Sequence, residues 1–352
     1  MADKIIREML MRLMRFRGFL VLAISALMMT SCLPSSPSSG GAKGQTITIY
    51  GFSIMKEPLE KEIFQAFAAK WKREHGVDVT FITSFAGSET VTNQILQGAP
   101  ADLAILSIER DADRLVQGGA VKYDWRSKPN RGIVNKTPFV ILVRKGNPKK
   151  INDFPDLAKP GIQLIHPDPV SSGGAQWSIL AIYGSELMKS QQASGGEDSV
   201  KATELLKSIW GNVMSSPGSA REARTSFETG HGDALVTYEL EGLSMKQAGA
   251  DIDMVIPRAT IFSEHPAVMI DRNLTADKRP VVEAFLNYLW SDEAQQAFVK
   301  YHFRSETNDS FNDANPEFAK IEMPFTVQLF GGWDKAYPDI IENIFIKQVQ
   351  NK

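Results

Sequence analysis

The chain has one cysteine in 352 residues, Cys32, so no internal disulfide can staple it. Its five histidines, His75, His166, His231, His265 and His302, are scattered, with no H-E-x-x-H or other metal-ligand spacing among them. Excess charge is also lacking, since 39 Lys and Arg against 41 Asp and Glu leave a net charge of −2. Binding to a polyanion needs a basic footprint, which argues against nucleic acid as a partner. No apolar run reaches the ~20 residues that cross a bilayer, and no repeat of fixed period is present. The composition, 43% hydrophobic and 23% charged, suits a folded chain long enough for two domains of ordinary size.

Basic residues do gather at the start, where Lys4, Arg7, Arg12, Arg15 and Arg17 face only Asp3 and Glu8. They run into twelve mostly apolar residues, Gly18 to Met29, and then Thr30, Ser31 and Cys32. This reads as a secretory signal over residues 1–31, with an uncleaved membrane anchor as the alternative. Met29-Thr30-Ser31-Cys32 resembles the lipobox of bacterial lipoproteins, in which the cysteine is acylated and becomes the new N-terminus; Met29 stands where leucine is preferred. Residues 32–45, rich in Pro, Ser and Gly, form a tether between that anchor and the folded part.

From Thr46 the chain alternates β-branched runs with amphipathic ones. Strands are expected at 46–50, 77–82 and 102–106, with helices at 57–75 and from Ser88 to about Gln97 and a loop over 83–87 between the second strand and second helix. Leu59, Ile63, Phe67 and Trp71 mark one face of the first helix, and Gly76 its stop. Strand, helix, strand, helix, strand predicts a parallel α/β sheet. Further strands follow at 137–143, 162–166, 233–238, 254–256 and 261–270, with helices at 177–188, 202–210, 281–290 and 292–301. The expected architecture is two α/β domains around a hinge with a cleft between them: residues 46–130 and 240–310 in one, 131–239 in the other, and 311–352 packing back on both.

Three strand-to-helix junctions carry small hydroxyl or bare-amide residues. They are Ser84 to Glu89, with Ser88 as cap; Asp168 to Gly174, with two serines and two glycines; and Ser219-Ala220-Arg221. Each directs unpaired N–H groups out of a helix N-terminus, a natural anion site. Caps alone explain any single one of them. Ser53-Ile54-Met55-Lys56 fits the S-x-x-K pattern of serine acyl-enzymes, yet Lys136-Thr137 is followed by Pro138 and no S-D-N occurs, so no catalytic residue is assigned.

The stretches at 66–76 (AFAAKWKREHG), 139–148 (FVILVRKGNP), 157–161 (LAKPG), 171–177 (SSGGAQW), 227–239 and 330–335 (FGGWDK), together with Gly87-Ser88, resemble the periplasmic sulfate-binding proteins of ABC importers. The resemblance runs from Thr46 to Lys352 and implies a two-domain binding protein, no enzyme and no cofactor, that closes on one anion without a salt bridge. Carried over, the backbone donors fall on Ile54, Ser88, Gly173, Gly174 and Ala220, and a hydroxyl donor on Ser172. Tyr238 stands where the family has an indole donor, Ile54 where it has an aspartate, Gln176 where it has an arginine, and Glu89 where it has a glycine. The implied partners are sulfate or thiosulfate, an ABC permease with its ATPase, and a membrane reached through lipid on Cys32, with the protein a monomer. A donor-only site suits a fully ionised anion, whereas a protonated phosphate would need an acceptor, for which Glu89 is the nearby carboxylate. Another oxyanion, such as phosphate or molybdate, and a lipoprotein that senses the anion for a signalling partner remain alternatives.

Overall fold

The computed structural model describes residues 44–350. The expected signal, Cys32 and all of the tether before residue 44 lie outside the described residues. Strand β1, Gln45–Phe52, buries Ile47 and Ile49 and leaves Thr46 and Thr48 half-exposed, the alternation of a strand covered on one face. It turns at once into a helical run that opens with a 3-10 turn, Ser53–Met55, and ends as α1, Phe64–His75. Gly76 stops it at φ 70°, its amide donating to the carbonyl of Lys72.

Strand β2, Val79–Ala86, pairs parallel with β1 in unbroken register from Gln45 opposite Val79 to Phe52 opposite Ala86. The loop expected over 83–87 is therefore strand as far as Ala86, because β1 supplies a backbone partner for each of those residues. Helix α2, Ser88–Leu96, follows, and β3, Leu103–Ile105, pairs parallel on the other side of β1. Helix α3, Glu109–Gln117, comes next.

Strand β4, Ile133–Arg144, ties the two halves of the sheet together. The second half comprises β5, Leu164–Ile165; α4, Gly173–Ser194; α5, Ser199–Trp210; β6, Val213–Ser215; α6, Ala220–Glu228; β7, Ala234–Tyr238; α7, Glu239–Gln247; and β8, Ile252–Val255. Strand β9, Ala259–Met269, then leads to helices α8, Arg279–Tyr288, and α9, Asp292–Lys300. The sheet order is β2-β1-β3-β9-β4-β7-β5-β6, with β8 also on β4. Residues 133–138 of β4 pair antiparallel with β9, and its residues 139–144 with β7 and β8.

Two three-stranded parallel sets form, β2-β1-β3 and β7-β5-β6. In each set the strands deliver their carboxyl ends to helix starts, which is where open α/β sheets place ligands. The segments that follow β1, β2, β3, β5 and β6, with the last residue of β7, carry the donor residues of the site described below. The C-terminal helical stretch Tyr337–Gln350 packs on the second half, with Phe345 edge-on to Trp210 at 4.5 Å.

The left-handed backbone at Gly76, with open space around it, isolates a purely conformational effect. Gly76→Ala should lower stability by about 1 kcal/mol in denaturant unfolding and leave ligand affinity unchanged, since a Cβ resists positive φ. A stability equal to the parent's would show that the α1 terminus does not need glycine.

Candidate functional site

Four segments converge where the two parallel sets of strands face one another. A Cβ added at Gly87 would lie 2.2 Å from the carbonyl of Ser171 and 2.9 Å from that of Gly218, so the starts of α2, α4 and α6 touch backbone to backbone. The Ser171 hydroxyl donates to the Gly218 carbonyl at 2.8 Å. A Cβ at Gly173 would meet Ser107 at 2.8 Å and Ser88 at 3.2 Å, and one at Gly174 the Tyr238 hydroxyl at 2.8 Å. The 3-10 turn Ser53–Met55 packs against α6 from the other side. Only glycine permits such approaches at 87, 173 and 174.

Ile54, Ser88, Ser172, Gly173, Gly174, Ala220 and Tyr238 are all buried. The amides of Ser88, Gly173, Gly174 and Ala220 stand in the first turns of α2, α4 and α6, ahead of any intrahelical acceptor. Among the described residues none of these amides, nor that of Ile54 in its 3-10 turn, has a tertiary backbone or side-chain acceptor. Helix dipoles add partial positive charge at the same place.

The hydroxyls divide the junctions. Ser219 caps α6, accepting from the Glu222 amide at 3.2 Å. Ser88, expected as a cap, is instead the first residue of α2, and Gly87 holds the extended cap position. Its hydroxyl donates to Asp111 at 2.5 Å and accepts from the Ser107 amide at 2.9 Å, which leaves only its own N–H to offer. Ser172, 1% exposed, occupies the cap position of α4 without making a capping bond, and its hydroxyl has no hydrogen-bond partner among the described residues.

Tyr238, at the end of β7, directs its hydroxyl to Ser107 Oγ at 2.8 Å. Burial pushes its phenol above its ordinary pKa, so it keeps its proton. Ser107, which the sequence did not single out, is fixed by three bonds: to Ser88 through its amide, to Tyr238 through its side chain, and from the Trp177 indole to its carbonyl at 2.6 Å. The buried indole ring of Trp177 thereby ties the two halves together.

Nearby charges are paired with one another. Glu89 is buried and receives Arg110 at 2.8 Å, Arg114, and the Gln176 amide at 3.1 Å. Both its oxygens are thereby engaged. Asp111, fully buried beneath Ser88, also escaped the sequence reading, because its helix looks merely polar. Burial, then repulsion from Glu89, pushes its carboxyl up to about 7, against the bond from Ser88 and the charge of Arg114. Arg221, next to Ala220, grips Glu57 at 2.5 and 2.7 Å and Glu241 at 3.1 Å. Lys56 pairs with Glu60 at 2.7 Å and lies over Phe85, engagements at odds with a role as base for Ser53. The site therefore offers buried neutral donors with its arginines already neutralised, an arrangement suited to holding a small, fully ionised anion.

Known proteins resemble the chain over most of its length. The model of the bacterial extracellular solute-binding protein family matches residues 47–304. The sulfate-binding protein of Synechococcus elongatus is 33% identical to this chain over 90% of it and 89% of its own length. The thiosulfate-binding protein of Pseudomonas aeruginosa is 30% identical, over 87% of this chain and 93% of its own. The solved sulfate-binding protein SubI from Mycobacterium tuberculosis shares the fold with a TM-score of 0.75 and 30% identity, over 84% of this chain and 98% of that one.

The raised Asp111 carboxyl carries a signature in stability. Between its ordinary value of 3.8 and about 7 the folded protein holds a proton that the unfolded chain has released, so this group's contribution falls as pH rises through that window. Asp111→Asn keeps an acceptor for Ser88 and removes the titration. Melting temperatures from pH 4.5 to 8 should show the parent gaining on the variant as pH falls; parallel profiles would mean that Asp111 is charged throughout.

Proposed function

The chain belongs to the bacterial extracellular solute-binding proteins, among the sulfate- and thiosulfate-binding members, and on that premise we propose that it captures sulfate outside the cytoplasm and delivers it to an ABC importer. It is a binding protein and not an enzyme. The observation that carries the reading is the set of donors without a tertiary acceptor among the described residues, the amides of the buried residues Ile54, Ser88, Gly173, Gly174 and Ala220 together with the Ser172 hydroxyl, at facing helix starts. Sulfate is fully ionised at neutral pH and offers acceptors on all sides, so each donor finds a partner and no proton is left over. Thiosulfate has the same shape and charge and is the companion ligand. The permease and ATPase of the importer are the protein partners, and the binding protein acts as a monomer.

Capture would proceed by closure of the two parallel sets of strands about the long strands β4 and β9, which alone join them in the sheet. We place the crossings near residues 138 and 262, where β4 exchanges its partners, since β8 and α7 pack on β4 with the second half. Glu57–Arg221 and Glu89–Gln176 span the closed cleft.

Anchoring through Cys32 fits the lipobox-like run before it and the extracellular family. Two or more acyl chains hold such a protein at a membrane surface while its fold stays in water. Mass spectrometry of the membrane fraction should find lipid on an N-terminal Cys32, and Cys32→Ala should lose it; a mature form beginning elsewhere would remove the anchor from the account.

Calorimetry should show one sulfate per chain with a micromolar Kd, about −8 kcal/mol, weakening from pH 6 to 8 as Asp111 beneath Ser88 loses its proton. Because Ser172 makes no capping bond, Ser172→Ala should weaken sulfate by roughly 1.5 to 3 kcal/mol while the ligand-free protein melts nearly as before. A loss of stability with affinity intact would make Ser172 a cap after all.

A further inference from the structure

The hydroxyls around this site are not equivalent. That of Ser88 is locked in one direction, with its proton on Asp111 and its lone pair taken by the Ser107 amide. Ser172 makes no capping bond and has no hydroxyl partner among the described residues, so if it accepted a proton from a ligand its own would find no protein acceptor there. Both carboxylates at hand are occupied, Glu89 by Arg110, Arg114 and Gln176, and Asp111 by Ser88 and Arg114. Ser107 and Tyr238 differ from all of these. Their oxygens lie 2.8 Å apart, either can be the donor, and both residues are 1% exposed. They also flank the glycine pair: Ser107 Oγ is 2.9 Å from where a Cβ would stand at Gly173, and the Tyr238 hydroxyl 2.8 Å from one at Gly174.

Two hydroxyls in mutual contact hold two protons and use one between them. The pair therefore turns one proton outward and keeps unused lone pairs on the oxygen that donates inward. An anion without a proton uses the outward donor alone. An anion that carries a proton can give it to the free lone pair and take the outward one, leaving nothing unpaired. An indole in place of Tyr238 could only donate.

Resting on the reading of this cleft as an oxyanion site, we propose that Ser107 and Tyr238 are its specificity-determining residues, and that their hydroxyl pair admits a proton-bearing oxyanion of the hydrogenphosphate class beside sulfate. Neither partner touches the outer surface, so the pair acts only on a ligand enclosed in the cleft.

The test is calorimetry of the purified full-length protein with sodium sulfate and with inorganic phosphate at pH 7.5, repeated on Ser107→Ala/Tyr238→Phe, which removes both hydroxyls and keeps the ring. The unaltered protein should bind phosphate within about a hundredfold of sulfate, and the double variant should lose at least about tenfold more affinity for phosphate than for sulfate. Phosphate weaker than sulfate by more than that hundredfold overturns the inference and leaves sulfate capture standing, as does an equal loss of both anions in the variant. Failure of the unaltered protein to bind either anion overturns the reading of the site itself. Should the variant not fold, the comparison on the unaltered protein decides alone.

Discussion

Backbone amides in a folded protein almost always find an acceptor, and those left over inside a core destabilise it. Here the first turns of three helices and one 3-10 turn bring such amides together in the interior. The glycines at 87, 173 and 174 exist to permit that meeting, because a side chain at any of them would collide with backbone or with Ser107 and Tyr238. Without an acceptor the closed arrangement carries several unpaired donors, each costing roughly 1 to 3 kcal/mol. A small anion there would remove that penalty, so on the proposed reading closure and capture are one event.

The charged groups follow from the same constraint. Five arginines lie close to the cleft or to its supports, and each is held by carboxylates: Arg110 and Arg114 by Glu89, Arg221 and Arg224 by Glu241, and Arg304 by Glu239. A free guanidinium would bind many anions, whereas fixed amides discriminate by geometry and by protonation state. Glu239 and Glu241 are fully buried, so their partners must remain charged and in place. Burial raises the Glu239 carboxyl, and Arg304 opposes that rise. These buried pairs fix α7 and the end of β7, and hence Tyr238.

Much of this was legible in the sequence. Apolar alternation marks β1, and i, i+4 spacing with Gly76 marks α1. Helices α3 and α7 were not legible, for one reason. Helix α3 buries Glu109 and Asp111 beside Ala112 and Leu115, and α7 buries Glu239 and Glu241 beside Leu240. Periodicity assumes that acids face water, so helices that bury acids against arginines give no apolar stripe. The helix starts that bring these amides together were legible as junctions, because small residues before a helix follow from elementary capping chemistry. Ser107 was not, since a lone serine after a strand acquires its meaning only from Ser88, Trp177 and Tyr238, which lie far from it in the chain. The cap roles of Ser88 and Ser172 could not be told apart for a similar reason, since the distinction lies in where each hydroxyl points.

Crystals grown with selenate, a tetrahedral dianion whose selenium scatters anomalously, test the central claim most directly. One anomalous peak should lie within hydrogen-bond distance of the amides of Ile54, Ser88, Gly173, Gly174 and Ala220 and of the Ser172 hydroxyl, with Arg221 still on Glu57 and Glu241. A peak bound instead by an arginine side chain, with those amides facing water, would contradict the account.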